Sequence, residues 1–160
     1  MNLLQTNNNM LFFGQGSKIK LMERLASYYQ QEGINVLVVR GYIPSVNQRT
    51  ILTEMKGFLE ELAGACNEKI KGVEEHFIYF NQLIEKRKFA RMLVVIHSID
   101  GPHLLSVEGQ EFLGKICSLP KVQVVGSFDN IGLPYRWSHH LLSLCRWVFY
   151  HVTTQENYVR

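Results

Sequence analysis

The sequence lacks an 18-residue apolar run, and its N-terminus lacks the charged-then-apolar order of a secretory leader. Neither a helical membrane span nor a signal peptide is expected, and the chain reads as soluble and intracellular. Cysteine is scarce: Cys66, Cys117 and Cys145 are odd in number, widely spaced and form no C-x-x-C pair. That excludes a disulfide scaffold and implies a reducing compartment, with each thiol buried rather than reactive. Charge of one sign is also short. A net charge of +3 and a pI near 8.8 are compatible with a nucleic acid nearby, but fall far below the charge of a dedicated binding tail. Internal repeats and low-complexity segments are absent. What the 160 residues do hold is apolar bulk, at 46%, enough for one ordinary domain with a real core.

Positions 2–9 are polar, with three consecutive asparagines, and read as a lead-in of little structure. Met10–Phe13 is a short apolar run that stops at Gly14 and Gly16. Leu21, Leu25 and Tyr28 then repeat at helical spacing, so the stretch reads as strand, Gly-rich turn and a helix over about Ser17–Gln31, with Ser17 as N-cap. Ile34–Val39 is nearly all apolar, as in strands buried on both faces of a parallel sheet. Helices are expected over about Asn47–Ala63 and Asn67–Lys88, the second with Val73, Phe77, Phe80 and Ile84 on one face. Met92–Ile96 is a third strand, Val107–Cys117 a helix, Val122–Val125 a fourth strand, Trp137–Leu144 a short helix and Arg146–Tyr150 a fifth strand. Five strands alternating with helices predict an α/β fold, an open, mostly parallel sheet with helices on both faces.

In such a sheet ligands bind at the carboxyl ends of the strands, which points to Gly14–Lys18, His97–Asp100 and Gly126–Asn130. A Gly-rich turn opening a helix is where nucleotide-binding proteins cradle a phosphate with backbone N–H groups. The loop that does this reads G-x-x-x-x-G-K-[ST]. Here one residue separates Gly14 from Gly16, Ser17 follows instead of lysine, and no hydroxyl follows Lys18 to hold Mg²⁺. After the third apolar run, where ATP hydrolysis needs an aspartate and usually a glutamate beside it, stand His97 and Ser98. An imidazole and a hydroxyl do not replace two hard carboxylate ligands, and Asp100 comes only further along the loop. Gly14, Gly16, Ser17, Lys18, His97, Ser98 and Asp100 therefore read as a degenerate nucleotide pocket, with no catalytic residue, cofactor or metal.

Plainer alternatives suit the remaining polar clusters. His97, Ser98 and Asp100 lie too close together in one loop to converge as a hydrolytic triad; a satisfied histidine and a loop-capping aspartate fit better. His139 and His140 are adjacent, so they do not share a helix face, and structural roles suit them better than metal ligation. Lys86, Arg87 and Lys88 either touch phosphates or complement a helix dipole, and the second is preferred. Trp137 and Trp147, with Tyr135 and Phe149, read as core or interface anchors.

Four motifs in order carry a family resemblance: Leu11–Lys18 (LFFGQGSK), Leu93–Asp100 (LVVIHSID), Val125–Asp129 (VGSFD) and Trp147–Thr154 (WVFYHVTT). With them the chain resembles subunit 2 of the eukaryotic origin recognition complex over nearly its whole length. Val152 departs from a threonine common in the family, and Ile43–Cys66 matches loosely. The resemblance implies a three-layer, P-loop NTPase-like fold of the AAA+ kind, spanning positions 10–160, with an inactive nucleotide site. It also implies a nuclear, hetero-oligomeric ring on double-stranded origin DNA that supports helicase loading, with subunit 3 as closest partner and no membrane. Relatives carry a winged-helix domain not visible here, so the chain reads as a core fragment or a much reduced version. By analogy with AAA+ initiators, Gln48, Arg49 and Lys56 join Lys86, Arg87 and Lys88 as candidate DNA-backbone contacts. The alternatives are a divergent active P-loop NTPase or kinase, and an unrelated α/β interaction domain.

Overall fold

The structure, a computed structural model, describes residues 8–64, 68–86, 91–101, 104–129, 132 and 136–154. Its strands are β1 (Asn9–Phe13), β2 (Asn35–Arg40), β3 (Met92–His97), β4 (Val122–Phe128) and β5 (Trp147–His151). Between them lie α1 (Ile19–Gln31), α2 (Gln48–Ala63), α3 (Val73–Ile84), α4 (Val107–Cys117) and α5 (His139–Cys145). All four strand pairings are parallel, in the order β2-β3-β4-β1-β5. Each crossover to a parallel neighbour carries a helix back over the sheet.

Alternation along the strands decides which helix each face receives. Met92, Val94 and Ile96 of β3 join one core with Met55, Phe80, Phe112 and Leu141, from α2, α3, α4 and α5. Leu93 and Val95 point the other way and pack with Met10, Met22 and Tyr29 under α1. Each fully buried Leu, Met or Phe contributes about 1.5–3 kcal/mol, so both faces are needed to hold the central strands. β3 and β4 are buried along their whole length, β3 as its apolar run Met92–Ile96 requires, and β4 with Gln123 and Ser127 hydrogen-bonded inside it.

Caps set the helix starts. Asn47 accepts from Thr50 N–H ahead of α2, Ser106 from Gly109 N–H ahead of α4 and Ser138 from Leu141 N–H ahead of α5. Gly64 ends α2 in the left-handed conformation, at φ 67°.

Several expected boundaries move, each for a physical reason. Asn9 is not lead-in: its buried amide donates to Cys145 O and accepts from Val124 N–H, which draws it into β1. α1 begins at Ile19, with Lys18 rather than Ser17 at the cap position and no capping bond from its side chain; Ser17 Oγ accepts from Ile19 N–H only at 3.5 Å. β2 is an edge strand and less buried than expected, although Val39 and Leu37 pack on one core and Val36 and Val38 on the other. α3 is shorter than expected, because residues 68–72 are not helical and Gly72 precedes its first turn. β4 runs on through Gly126, Ser127 and Phe128, and β3 takes in His97. Gly126 fits inside β4 because a Cβ there would lie 2.9 Å from both Ile99 Cγ2 and Leu11 Cδ2. Arg146 leads into β5 at φ 49° rather than belonging to it. Cys66, Arg87, Lys88, Asn130 and Tyr135 lie outside the described residues.

Candidate functional site

With β1 between β4 and β5, and β4 beside β3, the loops following β1, β3 and β4 emerge next to one another. Lys18 is central there and 3% exposed. Its Nζ lies 2.8 Å from Asp129 Oδ1, 2.6 Å from Gly14 O and 3.1 Å from Gly16 O. Those acceptors engage all three hydrogens of the ammonium. The chain after β5 closes over the same turn. Val152 N–H donates to Phe13 O at 2.7 Å, Thr154 N–H to Gln15 O at 3.0 Å, and Thr154 Oγ1 to Ser17 O at 2.8 Å. Only glycine permits that approach: a Cβ on Gly14, at φ 134°, would stand 2.1 Å from Val152 O, and one on Gly16, at φ 92°, 2.2 Å from Thr154 O.

The loop after β3 is joined to the same cluster through β4. Ser98 takes φ 54°, its N–H donating to Ser127 Oγ at 3.0 Å, and Ile99 N–H donates to Ser127 O at 2.8 Å. Asp100 accepts from Asp129 N–H at 3.2 Å, acting as the loop cap the sequence suggested. Gly101 lies against Gly41, where a Cβ would come within 2.2 Å of Gly41 O. His97 stands apart, paired in register with Arg40 on the β2 side of β3. It is 1% exposed, and neither ring nitrogen finds a hydrogen-bond partner among the described residues, so it is not the satisfied histidine expected. Its ring meets the Tyr42 ring edge-on at 6.0 Å. Burial lowers its pKa below the ordinary value; Glu23 opposes this, and Arg40 adds to it.

The turn thus gathers Gly14, Gly16, Ser17 and Lys18 with Asp100, and adds Asp129, which sequence reasoning quoted in a motif but gave no role. Its signal was positional. It is the first residue past β4, and β4 adjoins β1. No cluster of three or more His, Cys, Asp or Glu suited to a metal occurs among the described residues.

The candidate DNA contacts are dispersed. Arg49 is exposed in the first turn of α2, at the carboxyl end of the sheet. Lys56 has only 13% of its side chain exposed and pairs with Glu60 at 2.7 Å, whose other oxygen accepts from Glu68 N–H at 3.3 Å. Lys86 is exposed beyond α3 at the opposite end, near Ile84, whose carbonyl lies 3.5 Å from Lys121 Nζ. Trp137 is buried and stacks on Trp147 at 5.9 Å, as anchors do, whereas His139 and His140 are exposed at the start of α5.

A family model described as the origin recognition complex subunit 2 RecA-like domain matches residues 1–152. Origin of replication complex subunit 2 of Oryza sativa subsp. indica is 29% identical, covering 94% of this chain and 43% of the relative. Origin recognition complex subunit 2 of Mus musculus is 28% identical, covering 94% of this chain and 25% of the relative. The chain therefore spans less than half the length of these curated relatives. In a solved structure of Drosophila ORC bound to AT-rich DNA and Cdc6, one chain superposes with a TM-score of 0.83 at 22% identity, over 98% of this chain and 52% of that one. Cdc6p from Pyrobaculum aerophilum superposes with a TM-score of 0.63 at 12% identity, over 89% of this chain and 39% of that one. These likenesses place the five-stranded parallel sheet among AAA+-like folds. Together with the family match over nearly the whole sequence, they identify the chain as a member of the origin recognition complex subunit 2 family, matching its RecA-like domain.

Proposed function

We propose that this chain is the core domain of a non-catalytic AAA+-like subunit of the origin recognition complex. In this reading it acts in the nucleus through its surfaces, as part of a hetero-oligomeric ring on double-stranded origin DNA that supports loading of the replicative helicase. The observation that carries the reading is the state of Lys18. Its ammonium is held by Asp129 and by two carbonyls of the turn itself. A phosphate cradle needs the opposite polarity, N–H groups turned inward and a lysine left available. The segment 152–154 lies along the turn, and His97 and Ser98 supply no carboxylate for Mg²⁺. Gly14, Gly16, Ser17, Lys18, His97, Ser98 and Asp100 are thus read as the remains of a nucleotide pocket, with no cofactor bound and no metal.

The family match and the Drosophila complex, which holds DNA and Cdc6, support membership in such a ring; the family resemblance implies subunit 3 as the nearest neighbour. Arg49 and Lys86 are exposed cations suited to backbone phosphates, and Arg87 and Lys88 belong to the same basic run. Lys56 would have to exchange Glu60 for a phosphate, which makes it the weakest of the set. The test is co-purification of the tagged chain with subunit 3, with and without duplex DNA. Retention of subunit 3 is expected; recovery of the folded chain without any replication subunit would overturn the reading in favour of an unrelated interaction domain.

A further inference from the structure

We propose that the amino end of the sheet, opposite the Lys18 turn, carries a pocket for a phosphomonoester borne on a peptide side chain. A cavity of about 400 Å³ opens there, and Arg91, Lys121 and Arg146 all line it. Each cation directly precedes a different strand: β3, β4 and β5. No acidic side chain lines this cavity among the described residues. The other described clefts differ in this respect. The groove between α3, α4 and α5 holds Glu74 and Glu111, the α1 cleft Glu23, and the cleft beside β2 Glu61.

Helix ends account for two of these charges and leave Arg91 without such a role. Arg146 follows α5 directly, where a cation complements the last carbonyls. Lys121 Nζ lies 3.5 Å from Ile84 O, the last carbonyl of α3, from which a ligand would have to draw it, whereas Arg91 lies well past the end of α3. The backbone gives a second, independent observation. Lys121 and Arg146 are two of the described non-glycine residues with positive φ, at 59° and 49°. Asparagine or glycine would occupy that conformation with less strain, yet long cations stand there. Their carbonyls are pinned by the neighbouring strands: Met92 N–H donates to Lys121 O at 2.9 Å and Asn9 N–H to Arg146 O at 3.1 Å. Two of the three cations therefore rise from a fixed backbone, the preorganisation a binding site requires.

Concavity and charge choose the ligand. A duplex backbone is a convex ridge of single charges, whereas a cleft of about 400 Å³ has room for one phosphate together with the peptide residues that flank it. A phosphomonoester carries about −1.5 to −2 at pH 7 and offers three acceptor oxygens, which suits a cluster of arginine and lysine donors. Leu119 and Leu144 give apolar wall for the residues flanking the phosphorylated one.

The test titrates the whole 160-residue chain with a labelled five-residue peptide bearing one phosphoserine between two leucines, read by anisotropy, with inorganic phosphate as competitor. The expected result is binding at least tenfold tighter than that of the unphosphorylated peptide, displaced by phosphate. It should weaken at least tenfold in the combined variant Arg91→Gln, Lys121→Asn, Arg146→Asn. Asparagine suits positive φ, so that variant should keep its melting temperature; Arg91→Gln alone, which involves no unusual φ, serves as the second variant. Equal binding of both peptides, or affinity unchanged in both variants, would overturn the proposal. So would a duplex oligonucleotide binding at these residues while the phosphopeptide does not.

Discussion

Lys18 brings a full positive charge to a site only 3% exposed, which the fold tolerates because three acceptors surround it. A lysine reserved for a ligand could be removed at little cost to stability. Lys18→Met should instead destabilise the chain by about 1–3 kcal/mol in urea unfolding, since it strands two loop carbonyls and the Asp129 carboxylate. The lower part of that range is expected, because a third of the Asp129 side chain meets water. His97 yields a second expectation. Its folded pKa lies below the ordinary 6.5, so the folded state gives up its proton more readily than the unfolded one. As pH falls below about 6.5 the unfolded chain binds the extra proton, and stability declines until the folded pKa is passed. Melting temperature should therefore drop between pH 7.5 and 5.5, and less so in His97→Leu. At this scale the sequence told which groups were missing, His97 and Ser98 in place of carboxylates, but not what replaced their contacts. Asp129 lies 111 positions from Lys18, and its pairing depends on a strand order that no local pattern contains.

The elements explain why the turn is shut. β1 and β5 are parallel neighbours, and their pairing extends past both strand ends through Val152 and Thr154. Those two residues are part of the fourth family motif, whose apolar strand was legible but whose polar tail showed no periodicity. Gly14 is where this extension is most exacting. Gly14→Ala should cost on the order of 1–3 kcal/mol in thermal unfolding, from strained φ and collision with Val152 O, whereas a turn open to ligand would yield more easily. Helix α4 kept its expected bounds, Val107–Cys117, because Ser106 caps it by accepting from Gly109 N–H. The boundaries that shifted, at Asn9, Ser17 and Gly126, are those where a tertiary contact overrode local preference: a buried amide, a lysine turned inward, and a glycine wedged between Ile99 and Leu11.

Across the whole molecule, the parallel order β2-β3-β4-β1-β5 places every candidate pocket residue at one end of the sheet and the Arg91–Lys121–Arg146 cavity at the other. Alternating strands and helices made the architecture legible, since continuous apolar runs such as β3 require cover on both faces. They could not show that β2 lies at an edge, nor that Arg49 and Lys86 fall at opposite ends. A core kept intact around a turn filled by its own lysine suits a subunit retained for its surfaces. The most direct test of that claim is calorimetric titration of the chain with ATP and Mg²⁺. No binding heat is expected, with or without the metal; micromolar, Mg²⁺-dependent affinity abolished by Lys18→Ala would contradict it.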